Sequence, residues 1–180
     1  MIETERLLLR PLRASDARDL LEYQSDPDVV RYTPWPVRDL SAVDASLAKI
    51  IGLHKDNPTS DGESIFLAWE LKITGKVIGQ SNMSIISSVS GLADIGWATH
   101  QSFQRQGYAR EASAALLNHA YHSLEVRTVQ AKIDTRNLAS IHFAEQLGMS
   151  FVPEKTESII AKDEECTILT YEITLNSGQS

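Results

Sequence analysis

Gln104-Arg105-Gln106-Gly107-Tyr108-Ala109, read as QxxGxA, stands between the strand-like run Leu92-Ala93-Asp94-Ile95-Gly96-Trp97-Ala98-Thr99 and a run with helical periodicity. In the second run Ala109, Ala112, Ser113, Leu116, Leu117, Ala120 and Tyr121 recur at three- and four-residue spacing, which predicts one small or apolar helix face. A helix starting near Gly107 leaves its first amides without intrahelical partners. It also carries partial positive charge at that end, so its backbone alone can bind an anion. Gly107 and Ala109 count by being small, since a larger side chain would hold a diphosphate away from the amides, while Gln104 and Arg105 can add donors. In isolation the same hexapeptide also describes an ordinary strand-to-helix turn in which glycine relieves backbone strain.

A second element follows the strand-like Val126 to Asp134: Asn137-Leu138-Ala139-Ser140, then Ile141 to Gln146 and Leu147-Gly148-Met149. The order strand, QxxGxA, helix, strand, NxxS, helix, LGM resembles the GCN5-related N-acetyltransferases (GNAT), and within them the Rim-type branch that acetylates ribosomal-protein N-termini. The resemblance extends over nearly the whole chain. It takes in the opening Glu3-Thr4-Glu5-Arg6-Leu7-Leu8-Leu9-Arg10-Pro11, the run Asp26-Pro27-Asp28-Val29-Val30-Arg31-Tyr32, and Gly107-Tyr108-Ala109-Arg110-Glu111-Ala112 at the start of the central helix.

With 180 residues, 42% of them hydrophobic and few Gly or Pro, the chain fits one domain with a full core, expected over residues 1–175 with a short tail at 176–180. The single cysteine, Cys166, excludes an internal disulfide and a multi-cysteine zinc site, and no metal is expected; a reducing cytoplasm is the plain expectation. No apolar run approaches the roughly 20 residues that span a bilayer, and Met1 to Glu5 has no secretory character. The net charge of -7 disfavours nucleic acid and anionic membranes and suits a cationic partner such as an amine or a basic peptide, although it also serves solubility alone.

Arg6 to Leu12 reads as a first strand, Ser15-Asp16 as an N-cap before Ala17, Leu20 and Leu21, and Ser41 to His54 as a second helix. Between these helices Pro34 and Pro36 hold Tyr32 to Pro36 extended, with Tyr32 and Trp35 offering large apolar faces with polar tips. Thr74-Gly75 turns a hairpin between Ile65–Leu71 and Lys76–Ile86, a further turn at Ser87 to Gly91 leads into the strand ending at Thr99, and Val129, Ala131 and Ile133 alternate in the next strand. Met149–Val152 and Thr167–Ile173 supply two more, giving seven strands with helices first grouped and then interleaved: an α+β domain. The resemblance implies the GNAT fold, a mixed, mostly antiparallel sheet flanked by about four helices. Its fourth and fifth strands splay apart, and the pantetheine arm of acetyl-CoA lies in the gap.

What the resemblance implies for function is acetyl transfer from acetyl-CoA to a primary amine by direct attack. The acceptor it points to is the α-amine of a protein or peptide N-terminus; small amines are the alternative, and a non-catalytic acyl-CoA-binding module the less favoured one. Gln104, Arg105, Gln106, Gly107, Tyr108, Ala109 and Arg110 fall on the diphosphate, and a backbone N–H near Trp97 or Ala98 on the developing oxyanion. Asn137 is placed both to cap its helix and to bond the pantetheine arm or the amine, with Ser140 three positions on. Where many relatives carry a tyrosine that protonates the thiolate, seven residues after this asparagine, the chain has Ala144, which leaves Ser140 or a water for that role. Asp94 is the preferred base, Glu157 the runner-up, and the imidazoles of His100 and His142 are further candidates, although a lone histidine is more often structural. Tyr32 and Trp35 fall on the acceptor wall. An unmarked strand edge or helix face leaves a homodimer open.

Overall fold

The computed structural model describes residues 1–176; of the tail expected over 176–180, all but Asn176 lies outside the described residues. Among them nine strands form one sheet: β1 (Ile2–Glu3), β2 (Leu7–Pro11), β3 (Ser64–Leu71), β4 (Val77–Ser87), β5 (Leu92–Thr99), β6 (Thr128–Asp134), β7 (Ser150–Phe151), β8 (Glu157–Ala161) and β9 (Glu164–Thr174). The order is β1-β2-β3-β4-β5-β6-β9-β7, with β8 also paired to β9. Every pairing is antiparallel except that of β5 with β6, as a crossover through a helix requires. The helices are α1 (Ala17–Gln24), α2 (Pro27–Val30, a single turn), α3 (Leu40–Leu53), α4 (Tyr108–Ser123) and α5 (Leu138–Gln146).

The α+β mixed sheet is the expected one, and the seven expected strands are all present. The two additions, β1 and β8, carry no periodic signal: β1 is two residues long, and no residue of β8 is buried, so neither writes an apolar alternation into the sequence. One local expectation is corrected. Asp16 does not cap α1 with its side chain. Its carboxylate instead takes both terminal nitrogens of Arg10 at 2.8 Å and the Arg13 N–H at 2.8 Å, because Arg10 is only 3% exposed and a buried guanidinium needs a counter-charge more than a helix end needs a cap.

The two faces of the sheet are covered differently. Leu67, Met83, Ile95, Val129, Ala131 and Ile133 join Ala112, Leu116 and Ala120 of α4 and Ala144 of α5 in the larger core. On the other face, Leu20 and Tyr23 of α1 and Val43 and Leu47 of α3 pack on Ala68, Val77 and Ala98, which covers β3 to β5 only. Strand alternation turns Gln130, Lys132 and Asp134 of β6 to this second face, beyond the helices. The β5–β6 ladder joins Leu92–Asp94 to Thr128–Gln130 and then stops, while β5 runs on to Thr99 against β4 and β6 to Asp134 against β9. The expected splay is therefore a wedge opening beyond Asp94 and Gln130.

Candidate active site

At the mouth of the wedge the chain turns from β5 into α4. Arg105 and Gly107 adopt left-handed backbone, φ +59° and +83°, and Gly107 is the N-cap of α4. The first helical bond runs from the Glu111 N–H to the Gly107 carbonyl at 3.0 Å, so the amides of Tyr108, Ala109 and Arg110 have no acceptor within the helix. Sixteen residues of aligned peptide dipoles stand behind them. The Gln104 side chain donates to the Thr99 carbonyl at 3.2 Å and Gln106 to the Ser102 carbonyl at 2.8 Å. Both glutamines thus brace the loop from within, while Arg105 and Arg110 extend exposed from it. A loop with free amides, a side-chain-free apex and two exposed guanidiniums fits a diphosphate.

The wedge also decides which strand amide is available. His100 donates its N–H to the Ile78 carbonyl at 2.9 Å, which fixes the phase of the β4–β5 ladder. Ala98 and Gly96 therefore direct their amides to β4, the Ile95 amide is taken by the last rung to β6, and Trp97 directs its own into the opening. Of the two expected donors, Trp97 has the N–H that faces the gap. Its indole meets Phe143 of α5 edge-on at 4.9 Å, tying the two sides of the wedge together.

Across the gap Asn137 caps α5: its Oδ1 accepts the Ser140 N–H at 3.1 Å, and its own N–H reaches the Asp134 carbonyl at 2.9 Å. The cap uses the amide oxygen and leaves the amide NH2 without a partner among the described residues. The half-buried Ser140 hydroxyl likewise has none. Ala144 is fully buried in the larger core, so the place of the family tyrosine is filled with packing. Ahead of the cap stands Arg136, which the sequence reading missed. Its guanidinium bonds Asp134 at 2.8 and 3.0 Å, Glu164 at 3.0 Å and the Cys166 sulfur at 3.0 Å, and it lies 5.8 Å from the Tyr32 ring centre.

On the second face Tyr32 is thus flanked by Arg136 and by Arg31, whose guanidinium is 5.4 Å from the ring. Trp35 packs at the edge of the smaller core under Arg38, with its indole N–H buried and unpaired. Asp94 opens on the same face as Gln130, its register partner across the last rung before the splay. One of its carboxylate oxygens is closed to solvent and has no donor. Burial pushes its pKa up to about 6, against the opposing pull of Lys132 and of the Ile95 amide. Beside it a cleft of about 360 Å³ is lined by Gln130, Lys132, Lys155, Glu157 and Thr170. Glu157, the runner-up base, is held by Lys132 at 2.7 Å. His100 is engaged with Glu22 at 3.1 Å, and His142 is exposed beside Glu145. Among the described residues no group of three or more acidic, histidine or cysteine side chains could hold a metal, and no helix is long and apolar enough to cross a membrane.

The sequence model of the acetyltransferase (GNAT) domain family matches residues 6–150. The chain belongs to the GNAT family. It is 30% identical over 148 residues to p20, an uncharacterized N-acetyltransferase of Bacillus licheniformis, across 81% of this chain and 79% of that one. Among solved structures, a Vibrio cholerae protein taken to be a ribosomal-protein-serine acetyltransferase superposes with TM-score 0.78 at 16% identity, covering 97% of both chains. The microcin C7 self-immunity acetyltransferase MccE, solved with acetyl-CoA and AMP, superposes with TM-score 0.78 at 19% identity, covering 95% of this chain and 93% of its own.

As a GNAT enzyme the protein is an acetyl-CoA-dependent N-acetyltransferase. Bound acetyl-CoA supplies an activated acetyl thioester. What the geometry offers such a reaction is a set of unpaired amides at the α4 end, hydrogen-bonding groups inside the wedge and the Asp94 carboxylate on the second face. The Trp97 N–H, the Asn137 NH2, the Ser140 hydroxyl and the Asp94 carboxylate are the groups around the wedge whose hydrogen-bonding capacity the fold does not consume. Arg136 could have been flagged only by its adjacency to Asn137, since its partners Tyr32, Glu164 and Cys166 are remote in sequence.

Proposed function

We propose that this GNAT acetyltransferase acetylates the N-terminal α-amine of a protein or peptide by direct attack, through one catalytic domain over residues 1–175 working in the cytoplasm. The observation that carries the reading is the Asp94 carboxylate at the last rung before the splay, one oxygen closed to solvent and without a donor, with burial raising its pKa to about 6. A base of that strength is about 2 units below an α-amine and roughly 4 below a lysine side chain, so it suits the more acidic ammonium of a chain end. Asp94 takes the proton, Trp97 N–H stabilises the oxyanion, and the Asn137 NH2 bonds the pantetheine arm or the entering amine. Ser140 relays a proton to the leaving thiolate, its hydroxyl taking one from solvent water as it gives its own. Residues Gln104 to Arg110 bind the diphosphate through backbone and the two arginines, and Tyr32 and Trp35 form the acceptor wall.

The resemblance to the Rim-type branch and the superposition on the Vibrio cholerae protein support a ribosomal-protein-like N-terminus as acceptor. A second reading, a small-molecule amine, is favoured by the cleft itself, whose volume of about 360 Å³ lies within the range of small-ligand sites. Release of CoA thiol with three acceptor sets tests both: peptides with free N-termini, the same peptides N-acetylated but carrying an internal lysine, and a panel of free amines. Turnover confined to the first set is expected. Turnover of free amines alone would move the assignment to a small-molecule enzyme. No turnover with any amine would leave an acyl-CoA-binding module.

A further inference from the structure

We propose that Arg6, between β1 and β2, is a positioning residue of the diphosphate loop, a role that rests on the reading of that loop given above. Its backbone N–H and its Nε both donate to Glu111 in the first turn of α4, at 2.8 and 2.7 Å. Its Nη1 donates to the Gln106 carbonyl at 3.0 Å, and the guanidinium lies 4.2 Å from the centre of the Tyr108 ring. The same carboxylate of Glu111 also accepts the Thr4 hydroxyl at 2.5 Å. The run Thr4-Glu5-Arg6 at the start of the chain is thereby fastened to the loop about 100 residues later.

The remaining nitrogen, Nη2, has no hydrogen-bond partner among the described residues. It lies 3.3 Å from the point where a Cβ on Gly107 would stand, at the bare apex of the loop. The side chain is 40% exposed, and the closeness of Nη2 to the Gly107 apex puts its N–H beside the α4 amides, where a ligand bound to them would lie. Charge gives the arrangement a purpose. Glu111 in the first turn suits the helix dipole, but left alone it would repel a diphosphate bound at the same end. Arg6 answers that charge, holds the Gln106 carbonyl away from the anion and keeps one N–H of its fork in reserve. A lysine carries the charge without the fork and cannot do all three at once.

Calorimetric affinities for CoA, dephospho-CoA and pantetheine, measured on the wild type, Arg6→Gln and Arg6→Lys, test this together with KM and kcat for acetyl-CoA. Arg6→Gln should bind CoA and dephospho-CoA about tenfold more weakly, with pantetheine unaffected, and Arg6→Lys should fall between. KM for acetyl-CoA should rise in step while kcat stays within about twofold. A loss shared equally by pantetheine, or carried by kcat, would mean that Arg6 merely supports the fold and would overturn the proposal. An unchanged CoA affinity in Arg6→Gln, with the wild type still preferring CoA to pantetheine, would overturn it while sparing the loop reading. A wild type that binds pantetheine as tightly as CoA would overturn both.

Discussion

At Asp94 a carboxylate oxygen is closed to water and receives no hydrogen bond, which costs stability whenever the group is charged. Folding raises its pKa from 3.8 to about 6, so between those values the folded chain binds more protons than the unfolded one. The contribution of this group to stability is therefore complete below 3.8, declines as pH rises, and is gone above about 6. Asp94→Asn should raise stability by about 1–3 kcal/mol at pH 8 and give no gain at pH 4, read as calorimetric Tm at the two pH values. The same substitution should remove the acidic limb, with its apparent pKa near 6, from the pH profile of kcat/KM and lower activity by about 10²- to 10⁴-fold. An acidic limb that survives unchanged in the variant would take the proton-accepting role away from Asp94. Asn137 calls for a subtler change, because alanine would also remove the helix cap. Asn137→Asp keeps the oxygen that accepts the Ser140 N–H and deletes the NH2. It should leave Tm within a few degrees, since the cap is worth about 1 kcal/mol, and slow turnover by tenfold or more. A turnover equal to wild type would confine Asn137 to capping.

The two helices that frame the wedge were readable from sequence because their signals are local. The apolar face of α4 falls within a few turns, Gly107 marks its left-handed start, and Asn137 and Ser140 lie in one capping turn. The short α2 and the strands β1 and β8 were not, being too brief or too exposed to imprint a period. What could not be read at all was how α5 is set against β5: the Trp97–Phe143 contact joins residues on opposite sides of the opening and has no local signature. Phe143→Ala should cost about 2–3 kcal/mol, less than a fully buried phenylalanine because the ring is half-buried, and should weaken turnover more than CoA affinity. Denaturant titration and calorimetry check the two halves of that statement. Gly107→Ala acts on the other side of the wedge. At φ +83° it asks an L side chain to stay left-handed, about 1–2 kcal/mol, and puts a methyl group 3.3 Å from the Arg6 guanidinium. CoA affinity should fall with little change in kcat, and a Gly107→Ala enzyme with wild-type CoA affinity would argue against an anion at that apex.

Across the whole molecule, the face of the sheet left open by α1 and α3 is bridged by the β8–β9 hairpin. At its tip Lys162 and Asp163 are left-handed, φ +52° and +64°, and the Lys162 ammonium donates to the Val30 carbonyl at 2.6 Å and the Arg31 carbonyl at 3.3 Å. The contact joins residues 132 positions apart, and like Arg6 with Glu111 or Arg136 with Tyr32 it is written nowhere in the local sequence. Local motifs marked the loop and cap beside the wedge, whereas the walls of the proposed acceptor face arise from pairings that only the closed sheet brings together. The ammonium sits on the last carbonyls of α2, where a cation is favoured, yet burial pulls its pKa below the ordinary lysine value, so the contact is held in partly desolvated surroundings. Lys162→Met keeps the stem and removes the donor. It should detach the strap from α2, raise KM for an N-terminal peptide several-fold and leave CoA affinity unchanged, because the proposed diphosphate loop lies at the start of α4 and shares no residue with the hairpin. Free small amines should respond less than peptides, since a small acceptor would draw less on the proposed wall of Tyr32 and the strap. Equal KM changes for peptides and small amines would mean that the strap orders the site as a whole and does not select the length of what enters it.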